Sequence, residues 1–103
     1  DIEIIIGINL QKEITGVEIL SIDETVGLGM NAKNEEFRNQ YVGKKVDHFQ
    51  VVKNGKQNED EVDSLSGATI TSKAMTNGIN GALDFYDLLK GRWKYEEVFK
   101  TFI

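Results

Sequence analysis

The sequence contains no cysteine and no proline, and it has a single histidine. The lack of cysteine excludes disulfide bonds, thiol catalysis and cysteine-ligated metal sites. A lone histidine is a poor indicator of a metal centre, because a first coordination shell needs several converging ligands. We therefore interpret His48 as a hydrogen-bonded residue of a strand. No G-x-S-x-G sequence is present either, which disfavours a hydrolase of that type.

Basic residues are scarce, with 12 Lys and Arg against 17 Asp and Glu and a net charge of −5. This balance disfavours nucleic acid as a partner, because contacts to a phosphate backbone require clustered Lys and Arg. It also disfavours docking on an anionic membrane surface.

The length of 103 residues suits a single domain. No run is long or apolar enough for a membrane-spanning helix, and no signal peptide is recognisable. Because the chain opens directly on a strand-like pattern, we expect a fragment of a longer protein that lacks its N-terminal anchor or leader.

Alternating isoleucines in residues 2–8 predict a strand, and residues 14–22 predict a second one. The polar residues 9–13 between them indicate a hairpin turn. Residues 46–53 alternate as a third strand, and the polar and acidic segment 56–62 is interpreted as a solvated loop.

Helical patterns follow in three places. Residues 34–41 predict a short helix that ends at Gly43. A long amphipathic helix is predicted from Thr71 to Lys90, with Thr71 or Ser72 as its cap. Residues 95–102 show helical spacing of aromatic and apolar residues and predict a C-terminal helix.

The element order predicts an α+β fold, with a small antiparallel sheet and packed helices in one domain spanning residues 1–103. Gly78 and Gly81 fall inside the long helix, where each costs about 1 kcal/mol relative to alanine. We interpret them as positions where a neighbouring element packs closely.

The most informative stretch is DSLSGATITSKAMTNGIN, residues 63–80. Its segment Ser66-Gly67-Ala68-Thr69 combines hydroxyls and small residues in a turn that leads into the long helix. A helix N-terminus has free N–H groups and a favourable dipole for an anion. The pattern therefore predicts a phosphate site.

A second glycine-rich loop lies at residues 23–30, where Gly27 and Gly29 flank Leu28. Leu28 and Met30 are apolar residues in a predicted loop. They are typical either of a surface that meets a ligand or of a loop whose leucine fills the core, and the pattern leaves both open.

Together these two stretches resemble one family. Asp63-Ser64-Leu65-Ser66-Gly67-Ala68-Thr69 resembles the flavinylation motif D-x-x-S-G-A-T, and Glu24-Thr25-Val26-Gly27-Leu28-Gly29 resembles the loop E-T-P-G-L-G. The chain is similar to the FMN-binding domain found in the G subunit of the Rnf electron-transport complex, in the C subunit of the Na⁺-translocating NADH:quinone reductase, and in extracellular flavin-bearing modules. Val26 departs from the family's usual proline, which makes this loop less rigid.

The resemblance implies FMN attached covalently by its phosphate to Thr69, through a flavin transferase that uses FAD and Mg²⁺. An external enzyme suits the residues, because a threonine hydroxyl is a poor nucleophile without an activating base. Thr71 is the rival tether. The expected cofactor-binding residues are Thr69, Ser66, Gly67, Ala68, Asp63, Glu24, Thr25, Gly27, Leu28 and Gly29, and no metal site is expected.

The implied function is electron transfer, with the flavin supplying the redox chemistry and partner proteins of a membrane electron-transfer chain on either side. The expected domain is an electron carrier rather than an enzyme. Its expected location is the extracytoplasmic face of the cell membrane, or outside the cell. Two alternatives stay open: a non-covalent flavin or phosphate-ligand module with a binding or sensory role, and a structural domain with a vestigial motif.

Overall fold

The computed structural model describes residues 2–22, 35–53, 55–64, 69–89 and 97–102. Its elements are, in chain order, β1 (Ile2–Ile8), β2 (Ile14–Ile22), α1 (Glu35–Arg38), β3 (Gln50–Val52), β4 (Glu61–Asp63), α2 (Thr69–Leu89) and β5 (Glu97–Phe102). Strands and helices combine as the sequence predicts for an α+β domain.

The larger sheet is antiparallel, with the strand order β2-β1-β5. β1 is central, and Ile4, Ile6 and Ile8 are fully buried on one of its faces. The predicted alternation and the predicted hairpin are therefore confirmed. The apolar face forms because successive side chains of a strand point to opposite sides.

A β-bulge shapes the end of the hairpin. Gly7 pairs with Gly16 and Ile8 pairs with Ile14, so Thr15 is the extra residue of β2. The bulge brings Ile14 and Val17, three residues apart, onto the buried face together. A Cβ at Gly7 would lie 2.5 Å from the Thr15 hydroxyl, so a larger residue at this position would force the Thr15 side chain to move.

The turn between β1 and β2 is polar, as predicted. The side-chain oxygen of Asn9 accepts hydrogen bonds from the backbone N–H groups of Gln11 at 2.9 Å and Glu13 at 3.0 Å. Lys12 adopts a left-handed conformation, with φ of 61°. This turn is held by side-chain capping of its own backbone.

Contacts to α2 fix the turn against the rest of the molecule. Lys12 forms ion pairs with Asp87 at 2.8 Å and Asp47 at 3.2 Å. Burial acts to lower the pKa of Lys12, but the hydrogen bonds and charges of the two carboxylates outweigh burial and raise it. The Tyr86 hydroxyl donates to the carbonyl of Leu10 at 2.9 Å.

α2 packs against β1, β3 and β5 and supplies one wall of the core. Its apolar face recurs every three to four residues, which is the helical period. The buried apolar residues of the whole core are Ile4, Ile6, Ile8, Ile14, Val17, Phe37, Tyr41, Phe49, Val62, Met75, Ile79, Ala82, Leu83 and Tyr86.

Tyr41 lies at the centre of an aromatic cluster and is 0% exposed. Its ring makes edge-to-face contacts with Phe37, at a centroid distance of 5.8 Å, and with Phe49, at 5.1 Å. Its hydroxyl is 2.7 Å from that of the buried Thr76 on α2. Burial raises the pKa of Tyr41 to about 12, against the lowering effect of the Thr76 hydrogen bond.

The predicted third strand is shorter than expected, and it has a partner that was not predicted. β3 covers only Gln50–Val52 and pairs in parallel with β4. Two of the three residues of β4, Glu61 and Val62, belong to the segment that the sequence pattern indicates as a solvated loop. Just before β3, the Asn80 side chain bonds both backbone groups of Phe49. Val62, 0% exposed, anchors the otherwise acidic β4 in the core.

The predicted C-terminal helix is wrong, because residues 97–102 form β5. They pair antiparallel with β1, from Glu3 opposite Phe102 to Ile8 opposite Glu97. Without β5 this edge of β1 would have unpaired N–H and C=O groups, which favours strand pairing. Valine, phenylalanine and threonine in this segment also have high strand propensity.

α1 is shorter than the predicted helix, ending at Arg38. The chain continues in tight turns, in which the N–H of Gln40 donates to Phe37 and that of Tyr41 to Arg38. Gly43 has φ of +81° but lies five residues beyond the end of α1, so the prediction that it terminates the helix is wrong. The proposed cap, Asn34, lies outside the described residues.

Gly81 should tolerate alanine, because the expected close packing at this position is wrong. A Cβ there would have no atom within 4 Å, so Gly81→Ala should raise the free energy of unfolding by about 0.5–1 kcal/mol through a less flexible unfolded chain. Urea unfolding measures this change. Gly7→Ala is the contrasting variant, and it should destabilise. A Gly81→Ala protein less stable than wild type would contradict the prediction.

Alkaline pH should destabilise the fold through Tyr41. Tyrosine in the unfolded chain ionises near its ordinary pKa of 10, whereas folded Tyr41 stays protonated until about pH 12. Its contribution to stability is complete below pH 10 and is lost as the pH rises toward 12, by about 2–3 kcal/mol. Chemical unfolding at several pH values should show a steeper decline for wild type than for Tyr41→Phe. If the free energy of unfolding falls equally with pH in wild type and Tyr41→Phe, Tyr41 is not the cause of the alkaline destabilisation.

Candidate functional site

The helix α2 begins at Thr69, an exposed residue. The helix has 21 residues and no acidic residue in its first turn. The N–H groups of a first turn have no partner within the helix, and the helix dipole places partial positive charge there. This end of α2 is therefore suited to an anion.

The predicted caps of this helix are wrong. Thr71 and Ser72 lie inside α2, and only 4% and 0% of their surfaces are exposed. The helix starts at Thr69, two residues before its predicted start, and both side chains lie on its buried face. Of the two candidate tether threonines, Thr69 is the exposed one.

A second hydroxyl lies beside Thr69. The Ser64 hydroxyl donates to Oγ1 of Thr69 at 3.3 Å. Ser64 directly follows β4, and its N–H donates to the carbonyl of Val52 at 2.8 Å. Ser64 is a site residue that was not predicted from the sequence, although its position within the motif Asp63–Thr69 indicates that it lies near Thr69.

Asp63, the first residue of the motif, is held by hydrogen bonds on both its backbone and its side chain. Its N–H donates to Oε1 of Gln40 at 2.7 Å, and its carbonyl accepts from Nε2 of Gln40 at 3.0 Å. Its carboxylate accepts from the N–H of Lys56 at 2.9 Å. Gln40 was also missed, because its partner is distant in the sequence.

Among the predicted site residues, Asp63 and Thr69 are described, and they lie at the two ends of the motif. The remaining predictions lie outside the described residues. They are Ser66, Gly67 and Ala68 in the motif, Glu24, Thr25, Gly27, Leu28 and Gly29 in the glycine-rich loop, and the neighbouring Met30.

Ile70 adds an apolar surface next to the tether candidate. It follows Thr69 in the first turn of α2 and is 85% exposed. Single exposed apolar side chains are common on protein surfaces, so only its position next to Thr69 makes Ile70 a candidate ligand contact. Sequence reasoning missed Ile70, because one exposed isoleucine has no distinctive pattern.

His48 is not a strand residue, contrary to the sequence interpretation. It precedes β3, and its Nε2 lies 2.6 Å from Oδ1 of Asp84 on α2. Both side chains are more than half exposed. In the part of the chain that the structure describes, no group of three or more His, Cys, Asp or Glu residues could hold a metal ion.

The geometry defines a small α+β domain with two neighbouring hydroxyls, those of Ser64 and Thr69, at the N-terminus of its long helix. The family comparison agrees with this class, since the family model for the FMN-binding domain matches residues 1–84. The chain belongs to the FMN-binding domain family.

Relatives in the family are subunits of larger complexes. The chain is 40% identical over 83 residues to the G subunit of the proton-translocating ferredoxin:NAD(+) oxidoreductase complex of Clostridium ljungdahlii, a match covering 81% of this chain and 44% of that protein. It is 44% identical over 71 residues to the C subunit of the Na(+)-translocating NADH-quinone reductase of Vibrio alginolyticus, covering 61% and 26%. This chain spans less than half the length of either relative.

A solved structure shows the same fold. The crystal structure of NqrC from Shewanella oneidensis matches with a TM-score of 0.61 and 27% identity, over 80% of this chain and 43% of that one. Within the described ranges, none of the helices combines the length and apolarity that a membrane crossing requires.

Glu61 should stabilise the loop before Asp63 down to a pH below the ordinary pKa of a glutamate. Its carboxylate accepts hydrogen bonds from the N–H groups of Gln57 and Asn58, both at 2.9 Å, and these lower its pKa from 4.5. The loop contacts should persist below pH 4.5 and be lost as the pH falls through the lowered pKa. An NMR titration of both amides tests this, with Glu61→Ala as the control. A midpoint at or above 4.5 would refute the prediction.

Proposed function

We propose that this domain carries FMN attached through its phosphate to Thr69, and that it transfers electrons within a membrane-associated redox chain. The observation that carries the proposal is the exposed Thr69 hydroxyl at the N-terminus of α2, in a chain of the FMN-binding family. When bound, the flavin supplies the redox chemistry, and the domain supplies attachment, orientation and electrostatics.

The local charge supports a phosphodiester at Thr69. The phosphodiester remains an anion at neutral pH, and the first turn of α2 brings no acidic side chain to oppose it. The positive end of the helix dipole stabilises such an anion. The hydroxyl of Ser64, 3.3 Å from Oγ1 of Thr69, is close enough to donate to a phosphate oxygen.

The proposed attachment needs a separate flavin transferase, with FAD and Mg²⁺. A bond forms between Oγ1 of Thr69 and phosphorus as the phosphoanhydride bond of FAD breaks, AMP leaves and the hydroxyl loses its proton. The protein thereby gains the mass of FMN minus water. In the described part of the chain, the hydroxyl of Thr69 is bonded by another hydroxyl, that of Ser64, which is not a base that could activate it.

The proposed flavin ring surface combines two parts of the chain. One part is Ile70, which places exposed apolar area directly beside the tether. The other part is the glycine-rich loop. Glu24 and Thr25 would supply polar contacts to the ring edge, Leu28 and Met30 an apolar surface, and Gly27 and Gly29 would line the ring beside Leu28. These loop contacts rest on the family resemblance of that segment.

The proposed role is that of an electron carrier, a module of an oxidoreductase complex rather than an enzyme with its own substrate pocket. Support comes from the relatives, whose names describe subunits of ion-translocating oxidoreductase complexes. Translocation of ions requires a membrane, which supports membrane association and redox partner proteins. The proposed location on the extracytoplasmic face, or outside the cell, follows the family resemblance.

The test is the intact mass of denatured protein after co-expression with an active flavin transferase. Wild type and Thr71→Val should gain the mass of FMN minus water, because both keep the exposed Thr69 hydroxyl. Thr69→Ala should fold, as judged by circular dichroism, and gain nothing.

Other outcomes would identify a different function. An adduct on Thr69→Ala that disappears in Thr71→Val would move the tether to Thr71. Flavin that co-purifies with native wild type but is released on denaturation would indicate reversible binding. If the protein carries neither covalent nor reversibly bound flavin, although the transferase modifies a known acceptor, the motif is vestigial.

A further inference from the structure

A glutamine outside the motif holds the motif in place. We infer that Gln40 is a positioning residue for flavin attachment: its carboxamide clamps the backbone of Asp63 and thereby aligns Ser64 and Thr69 for modification. This inference rests on the proposed attachment at Thr69.

Among the described residues β4 pairs with a strand on one side only, and the clamp bonds the backbone of Asp63 on the other side. On one side, β4 pairs with β3, and the N–H of Ser64 donates to Val52. Successive N–H groups of a strand point to opposite sides, so the N–H of Asp63 points away from β3. Gln40 fills that side with an acceptor at 2.7 Å and a donor at 3.0 Å, as a paired strand would.

Gln40 contacts the first residue of the motif, and its neighbour Tyr41 contacts the helix that follows the motif. Gln40 holds Asp63, the residue before Ser64. Tyr41 bonds the hydroxyl of Thr76, about two helical turns after Thr69. Two consecutive residues therefore fix the strand that leads into the motif and the helix that follows it. The hydroxyls of Ser64 and Thr69 meet between these two anchors.

The chemistry of the clamp requires an amide. A glutamate at position 40 could still accept from the N–H of Asp63. Its second oxygen, however, would face the Asp63 carbonyl oxygen, and the two acceptors would repel each other. Methionine has similar size but offers neither group. Gln40→Glu and Gln40→Met thus remove one and both hydrogen bonds with little change in volume.

The chain also contains a matched control. Asn80 makes the same kind of clamp on Phe49, accepting from its N–H at 2.7 Å and donating to its carbonyl at 2.9 Å. Both clamps are partly buried. The Asn80 clamp holds the residue before β3 rather than the motif, so Asn80→Leu removes equivalent hydrogen bonds away from the acceptor threonine.

The experiment compares apo forms of wild type, Gln40→Glu, Gln40→Met and Asn80→Leu. Urea unfolding gives their stabilities, and amide hydrogen exchange gives the protection of Asp63. The rate of covalent FMN attachment is then measured with purified transferase, FAD and Mg²⁺, over a range of acceptor concentrations, well below the unfolding transition.

A positioning role predicts a specific pattern. Gln40→Met should slow attachment about tenfold or more, mainly through a lower kcat. The transferase would still bind the domain, but the Thr69 hydroxyl would be displaced from the position in which it reacts. Gln40→Glu should be intermediate, and exchange at Asp63 should rise in both Gln40 variants. Asn80→Leu should lose comparable stability while its attachment rate stays near that of wild type.

Three results would overturn the inference, and they are distinguishable. Equal slowing in the Gln40 and Asn80 variants would mean that Gln40 is merely structural. Unchanged exchange at Asp63 in both Gln40 variants would mean that the clamp does not hold the strand. No attachment to wild type, with a transferase active on another acceptor, would overturn the proposed function itself and this role with it.

Discussion

The buried hydrogen bond between Tyr41 and Thr76 is the contact on which the arrangement of the site depends. It joins the turn after α1 to α2 across the aromatic cluster, at 2.7 Å in a fully enclosed setting. Each hydroxyl satisfies the other, and an unsatisfied buried polar group would cost about 1–3 kcal/mol. The same turn carries Gln40, so the bond that secures the core also places the clamp on Asp63.

In the smaller sheet, side-chain amides make backbone hydrogen bonds of the kind that neighbouring strands would make. β3 and β4 have three residues each, too few to persist by their own pairing. Asn80 caps the start of β3 through Phe49, and Gln40 satisfies the open side of β4 at Asp63. A domain of this size thereby presents an ordered strand end without a larger sheet.

The charge distribution along α2 is consistent with an anion site at its start. The only acidic residues of this helix are Asp84 and Asp87, toward its C-terminus, where the helix dipole disfavours negative charge. Ion pairing with Lys12 offsets this cost for Asp87, and the contact with His48 does so for Asp84. The first turn of α2 contains no carboxylate, which favours the proposed phosphodiester at Thr69.

Local pattern determined the isoleucine hairpin, the long helix and the motif from Asp63 to Thr69, because side-chain periodicity and turn chemistry act between near neighbours in the sequence. Tertiary structure alone decided the rest. Residues 97–102 became β5 because an edge of β1 was open, and a helical spacing cannot reveal that edge. Thr71 is a core residue rather than a cap, because its burial depends on how α2 packs against the rest of the domain. The pairing of Gln40 with Asp63 depends on the fold bringing together residues that are distant in sequence, and no local pattern encodes that approach.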